Sequence, residues 1–155
     1  MKEDIKTQII EAQKTLELRQ KILLPHLSSV GDCCFSDDTA LGVFHLGAYL
    51  NEELIGIASF YPEINQNIHH SGKHPYRLRQ MGVLPEHQKK GVGQKLLETG
   101  IACLQLKGCE LLWCHARKVA YPFYKKMGFQ YQGEVFEIPQ IGPHRLMAMD
   151  LPPMD

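Results

Sequence analysis

Residues 76–129 decide the fold, and they read YRLRQMGVLPEHQKKGVGQKLLETGIACLQLKGCELLWCHARKVAYPFYKKMGF. The run from Tyr76 to Leu84 has the composition of a β-strand, and Pro85 ends it. Residues 92–106 form an amphipathic helical pattern with most of its leucines on one side, and Gly108 stops it. The first half of this stretch therefore predicts a strand followed by a helix.

The second half repeats that order. Residues 111–114 are a short apolar run, which predicts a buried strand. Val119, Phe123 and Met127 then recur at four-residue intervals, as they would on one face of a helix, and Gly128 terminates the pattern. The whole stretch thus predicts strand, helix, strand and helix in succession.

Upstream of this stretch, the chain predicts a helix and a hairpin. Residues 5–24 hold a short apolar run and then a helical pattern, which Pro25 ends. Residues 43–50 and 54–61 are rich in branched and aromatic side chains and are separated by Asn51-Glu52-Glu53. That arrangement is typical of two strands joined by a short turn.

The remaining segments complete the prediction of a mixed fold. Residues 62–75 are polar and are interpreted as a long surface loop, a place where binding residues often lie. Residues 129–138 and 144–151 predict two closing strands. A hairpin followed by alternating strands and helices predicts an α/β protein, with helices on the faces of a mixed sheet.

Composition narrows the function classes. The length of 155 residues fits one domain, 1–155. Lys plus Arg and Asp plus Glu each number 17, so the balanced charge gives no reason to expect nucleic acid or a membrane as partner. No apolar run approaches the roughly 18 residues of a membrane span, and the first residues lack a signal-peptide core. The five cysteines form no disulfide framework, so we expect reduced thiols and a cytoplasmic location.

The segment from Gln88 to Gln94 carries the chemistry. Its glycines let the backbone approach a ligand, and the unpaired N–H groups of the following helix favour an anion such as phosphate. Lys89 and Lys90 add positive charge, although tight packing at a helix start is the alternative explanation for Gly91. A P-loop is excluded because no Gly-Lys-Ser/Thr follows. A dinucleotide fingerprint would need three glycines early in the chain.

Two motifs in the right order give a resemblance to a known family. A Gln/Arg-x-x-Gly-x-Gly/Ala loop after a strand is present at residues 88–93, and a Tyr-x-x-x-Gly-Phe sequence ends a strand–helix unit at residues 124–129. Together they resemble the GNAT N-acetyltransferase superfamily, over most of the chain. Residues 141–144 are similar to a segment of a bacterial subgroup. The resemblance implies a central, mostly antiparallel mixed sheet of six to seven strands flanked by helices, with a splay between the two central strands.

The implied activity is transfer of an acetyl group from acetyl-CoA to a primary amine, by direct attack in a ternary complex without a metal. The loop would wrap the CoA pyrophosphate, the end of the central strand would pair with pantetheine, and an N–H near Val83 would face the thioester oxygen. Tyr124 would protonate the departing thiolate. The residues implied to bind the cofactor are Met81, Gly82, Val83, Gln88, Lys89, Lys90, Gly91, Val92, Gly93, Gln94, Arg117 and Tyr124.

The chain departs from the family pattern at two positions. Arg117 stands where many members have a cofactor-contacting asparagine, so it either reaches a phosphate or faces solvent. Arg77 lies on the strand where some members have a glutamate base. The general base is therefore left open between a protein group and water. Glu134 and Glu137 are interpreted as surface charges, with a role as base as the alternative.

Further hypotheses concern the alternative to an enzyme, a metal site, the acceptor and the oligomeric state. A CoA-sensing or interaction module without turnover is the alternative to an enzyme, and Tyr124 argues against it. A metal site is not expected, because the histidines form no helical ligand pair and Cys114 and His115 alternate across a strand. We expect a small-molecule or peptide amine as acceptor, with loop 62–75 on its side, and a homodimer is left open.

Overall fold

The computed structural model describes residues 4–154, which divide into two compact units. The first unit holds the described residues up to 61 together with residues 79–101, and the second holds residues 62–78 and the described residues from 102 onwards. The expectation of a single domain stays a prediction. No helix among the described residues is long and apolar enough to cross a membrane.

The sheet of the first unit is built from four strands in chain order. These are β1 (Ile5–Ile10), β2 (Phe44–Leu50), β3 (Glu53–Pro62) and β4 (Tyr76–Val83), of which β4 begins in the second unit. β1 pairs antiparallel with β2, and β2 pairs antiparallel with β3. The predicted hairpin is confirmed, since Asn51 and Glu52 both have positive φ, 49° and 70°, as a tight type I′ turn requires.

The sequence pattern does not predict β1 as a strand. It is an edge strand with one neighbour, and its side chains alternate only weakly between buried and exposed, with Ile9 65% exposed. The helical segment that follows consists of a 3₁₀ turn (Ala12–Thr15), α1 (Leu16–Leu18) and a π-helical turn (Arg19–Leu23). It ends ahead of Pro25, as predicted.

A buried ion pair holds the long connection after this segment. Arg19 and Asp38 are 0% and 2% exposed, and Arg19 donates to both carboxylate oxygens of Asp38, at 2.7 and 3.1 Å. Arg19 also donates to Ser59 and Tyr61 on β3, and the Tyr61 hydroxyl donates to Asp38. The network therefore connects residues 25–43 to the sheet. Its centre is Arg19, which the sequence pattern places on an apolar helix face.

α2 (Val92–Leu106) covers the same sheet and has the predicted bounds. A Cβ on Gly56 would lie 3.1 Å from side-chain carbons of both Val92 and Leu96, so the missing side chain on β3 lets α2 approach closely. On α2 itself, a Cβ on Gly100 would lie 2.2 Å from the ring of Phe60. Glycines thus set the distance between this helix and the strands.

The second unit contains β5 (Leu111–Arg117), β6 (Gln130–Tyr131), β7 (Phe136–Ile138) and β8 (Gly142–Asp150). β8 pairs antiparallel with β5, β6 and β7. The start of β4 pairs parallel with β5, through Tyr76–Leu112 and Arg77–Trp113. One face of this sheet is covered by a buried cluster consisting of Ile68, Leu111, Trp113, Leu146 and Ala148.

The strand count corrects the prediction of six to seven. Eight strands are present among the described residues, because β1 adds one and because the predicted strand 129–138 is interrupted between β6 and β7. The fold class is confirmed: the sheet is mixed and mostly antiparallel, with helices against it. The ladder that joins β4 to β5 lies at the start of β4, and the splay beyond it stays a prediction.

α3 (Tyr121–Met127) confirms the predicted second helix. Gly128 has φ 109° and caps the helix in the left-handed conformation. The residues that α3 buries are Tyr121 and Tyr124, whereas Val119 precedes the helix and is 88% exposed. Phe123 and Met127 are half-buried, so the four-residue spacing identifies the helix, while Tyr121 and Tyr124 are its buried residues.

Candidate active site

The first unit places the Gln88–Gln94 loop between a strand end and a helix start. A 3₁₀ turn (Pro85–His87) follows β4, and the side-chain amide of Gln88 donates back to the carbonyl of Val83 at 3.1 Å. Residues 88–91 are exposed, and Lys89 has φ 63°. The loop is therefore anchored to the end of β4 while its backbone faces outward.

Gly91 is the first residue whose carbonyl accepts a bond from α2, since Lys95 N–H donates to it at 3.1 Å. The N–H groups of the first helical turn, Val92 to Gln94, consequently have no acceptor within the helix. Gly91 has φ 85°, and a Cβ built there would meet no atom within 4 Å. Tight packing therefore does not explain this glycine, and the space beside it can take a ligand.

The end of β4 is distorted just before the predicted pantetheine-binding residues. Gln80 has φ 54° inside the strand, so the backbone departs there from the extended conformation of a regular strand. Two residues later, a Cβ on Gly82 would lie 3.0 Å from Ile22 and 3.3 Å from Leu23. Gly82 thus packs closely against the π-helical turn, and its pairing with a cofactor stays a prediction.

The second unit holds Tyr124 on α3 in an apolar setting. Its ring makes edge contacts with Phe123 and Phe129, with centroids at 5.2 and 5.1 Å. Burial raises the pKa of Tyr124 well above its usual value, while the positive charge of Arg117 opposes the shift. Within residues 4–154, no hydrogen bond of its hydroxyl is found. Tyr124 is therefore a neutral donor at physiological pH.

Arg117 ends β5, ahead of the 3₁₀ turn that leads into α3, and it is half-buried. Its charge acts on Tyr124, so the position at which the resemblance implies asparagine here carries a cation whose charge reaches the phenol. Contact of Arg117 with a phosphate stays a prediction.

Arg77 occupies the predicted position on β4 and is engaged by neighbouring side chains. Its guanidinium lies 3.2 Å from a carboxylate oxygen of Glu63, donates to Nδ1 of His115 at 3.2 Å, and stacks 4.9 Å over the ring of Trp113. Because a guanidinium can only donate, Nδ1 of His115 accepts, and the proton of the neutral ring lies on Nε2. Neither group is arranged here as a base.

Comparison with known proteins decides the family. A model described as an acetyltransferase (GNAT) domain matches residues 42–131. Over 148 residues the chain is 36% identical to the N-acetyltransferase YitI of Bacillus subtilis (strain 168), itself described as uncharacterized, and the match covers 96% of each. The chain belongs to the GNAT acetyltransferase family. It is an acyltransferase, as the two sequence motifs predict.

Solved GNAT structures share the fold at low identity. The ribosomal-protein-S18-alanine N-acetyltransferase from Escherichia coli has a TM-score of 0.73 at 18% identity, covering 98% of this chain and 96% of that chain. An aminoglycoside 6′-N-acetyltransferase complexed with coenzyme A also has a TM-score of 0.73, at 13% identity, covering 97% and 99%. These likenesses confirm the GNAT fold.

The structure places the predicted residues of this GNAT protein in two groups. The first unit contains Met81 to Val83 and the loop from Gln88 to Gln94, and the second contains Arg117 and Tyr124. The sequence pattern does not predict the Arg19–Asp38 ion pair. The signal for it is Arg19 itself, an arginine among the leucines of a helix face. In the described part of the chain, no group of three His, Cys, Asp or Glu side chains could hold a metal.

Proposed function

We propose that this GNAT protein transfers an acetyl group from acetyl-CoA to the primary amine of an acceptor, by direct attack in a ternary complex. The observation that carries the proposal is the open left-handed Gly91 beside the unpaired N–H groups of α2. Backbone donors and the positive end of a helix are a binding site for phosphate groups, and Lys89 and Lys90 add charge. Coenzyme A in the aminoglycoside acetyltransferase structure is further support.

Acetyl-CoA supplies an activated thioester, so the protein's part is binding, orientation and charge stabilisation. The loop holds the pyrophosphate, and the backbone of Met81 to Val83 pairs with the pantetheine amides. The left-handed backbone at Gln80 supports this role, because it interrupts the extended conformation of β4 directly ahead of these residues. An N–H near Val83 faces the negative charge that develops on the thioester oxygen.

Tyr124 donates its hydroxyl to the departing sulfur. Its pKa is raised above 10, whereas a thiol ordinarily has a pKa of about 8.5, so complete proton transfer to the thiolate is uphill. The phenol therefore acts mainly as a hydrogen-bond donor in the transition state. Loss of a hydrogen bond to a charged group costs about 1.5–3 kcal/mol, which corresponds to a rate loss of roughly 10- to 150-fold.

The experiment combines CoA binding with Tyr124→Phe. Acetyl-CoA at about 100 times its Kd should add roughly 2.7 kcal/mol of stability and raise the Tm by several degrees. The Tyr124→Phe variant should show the same Tm shift, with kcat for thiol release lowered roughly 10- to 150-fold. Absence of a shift with millimolar CoA contradicts acetyl-CoA as donor. An unchanged kcat contradicts the role of Tyr124.

A further inference from the structure

A cavity of about 600 Å³ lies entirely within the second unit, on the sheet face that carries His115. Its walls include His115 from β5, Phe136 from β7, Glu134 from the β6–β7 connection and Asn67 from the 62–75 loop. That volume is ordinary for a small-molecule site.

One backbone and one side-chain hydrogen bond hold the cavity walls in place. The N–H of Gln132 donates to the carbonyl of Leu146 at 2.9 Å, and Nε of Arg145 donates to the carbonyl of Gly133 at 2.6 Å. These bonds tie the β6–β7 connection to β8 at residues 132 and 133, directly ahead of Glu134. Ile68, next to Asn67, is buried and anchors the 62–75 loop. The segment interpreted as a plain polar loop thus contributes a fixed wall.

The charge of the cavity is negative. Glu134 takes part in no salt bridge with the described residues of the chain. Arg77 reaches His115, but Glu63 lies 3.2 Å from Arg77 and compensates its charge. Arg145 stacks 3.9 Å over Tyr131 and alternates with the cavity-lining Leu146 along β8, so its side chain belongs to the opposite face. The carboxylate of Glu134 is the charge that remains.

Aromatic rings form the apolar part of the wall. The rings of Phe136 and His115 meet edge to face at 4.9 Å, and the ring of His144 lies 6.0 Å from that of Phe136. His115 is neutral when Arg77 donates to it, so it adds no positive charge. A ring face beside an uncompensated carboxylate is suited to an organic cation.

We propose that this cavity binds the acceptor as an aryl- or alkyl-ammonium, with Glu134 as counter-charge and Phe136 as the apolar wall. The inference rests on the proposed function, because it names the acceptor class of the same transfer. Since it concerns binding, it can be tested without turnover.

The test uses phenethylamine and its neutral analogue 2-phenylethanol as probes, observed by ligand NMR on the CoA-saturated protein. Phenethylamine should bind more tightly than 2-phenylethanol. Glu134→Gln should weaken phenethylamine binding about two- to fivefold and leave 2-phenylethanol unchanged. Phe136→Leu should weaken both probes. The matched control is Glu137→Gln, whose exposed side chain lies on β7 outside the cavity lining and should change neither.

The outcomes separate the two proposals. If the Tm responds to CoA but phenethylamine fails to bind, or binds no better than 2-phenylethanol, the acceptor inference is wrong. It is equally wrong if Glu134→Gln and Glu137→Gln behave alike. If the Tm ignores CoA, the proposed function fails, while the probe measurements repeated without CoA still report on the cavity.

Discussion

Replacing Asp38 with asparagine should destabilise the first unit strongly. The carboxylate accepts four hydrogen bonds from the described residues. Two come from Arg19, one from the Tyr61 hydroxyl and one from the Phe35 N–H. The Asp38→Asn variant keeps the shape of the side chain but loses the negative charge, which leaves the buried Arg19 guanidinium uncompensated. Breaking one partner of a buried ion pair typically costs about 3–5 kcal/mol.

Protonation of Asp38 at low pH should also destabilise the protein, but by a smaller free energy than the substitution. Burial alone would raise the pKa of Asp38, but the bonds from Arg19 and Tyr61 hold it at about 2, against 3.8 ordinarily. That shift corresponds to about 2 kcal/mol, present above pH 4 and lost as the pH falls towards 2. Protonation leaves the carboxyl group of Asp38 in place, so it lowers the stability by less than the substitution does. The Asp38→Asn substitution also brings an amide N–H towards Arg19.

The assay is urea unfolding at neutral pH followed by circular dichroism, with Asp37→Asn as the matched control. Asp37 is adjacent but half-exposed, and its contact with Arg79 is 3.6 Å long. Its substitution should cost less than about 1 kcal/mol. A double variant, Arg19→Met with Asp38→Leu, should recover most of the loss, because no charge is then left buried. A loss below about 1 kcal/mol in Asp38→Asn would refute this reasoning.

Two glycine substitutions test the loop and the core. Gly91→Leu should abolish the CoA-induced rise in Tm while the protein stays folded. The structure has room for the leucine side chain, but that side chain would fill the space in which the ligand binds. Gly72→Leu, at another open position with φ 72°, is its control and should keep the CoA response. Gly100→Ala should lower stability by about 1–3 kcal/mol, because its Cβ would lie 2.2 Å from the Phe60 ring. A gain in stability, as expected for alanine in an open helix, would show that Phe60 moves aside without cost.

Local signals explain which elements the sequence could predict. α2 has an unbroken apolar face between two glycines, and its bounds follow from that pattern alone. The hairpin follows from two apolar runs around a turn. β1 depends on its pairing with β2, from Ile5–Leu50 to Ile10–His45, and such a partner is not visible in six residues of edge strand.

The functional residues depend on long-range contacts to a greater extent than the helices and strands do. Loop 88–94 could be found because its glycines and helix start are contiguous in sequence. The Arg19–Asp38 pair joins residues separated by 19 positions, and its further contacts with Ser59 and Tyr61 come from another strand. The cavity beside Glu134 similarly draws on four separate segments. A pattern of single residues far apart does not indicate which of them meet.

The surroundings of Gly91 and Gly82 distinguish a glycine that packs closely against the protein from one that leaves space for a ligand, which the sequence alone does not. Both lie in the predicted cofactor-binding segment, and each could serve packing or a ligand. At Gly82 a Cβ would lie 3.0 Å from Ile22 and 3.3 Å from Leu23, so these side chains would have to shift to admit it. At Gly91 a Cβ would meet no protein atom within 4 Å, and only the left-handed backbone favours glycine. Enlarging Gly91 therefore acts through the left-handed backbone and the space open to a ligand, and not through a clash with other protein atoms, whereas the same change at Gly82 would first press on Ile22 and Leu23.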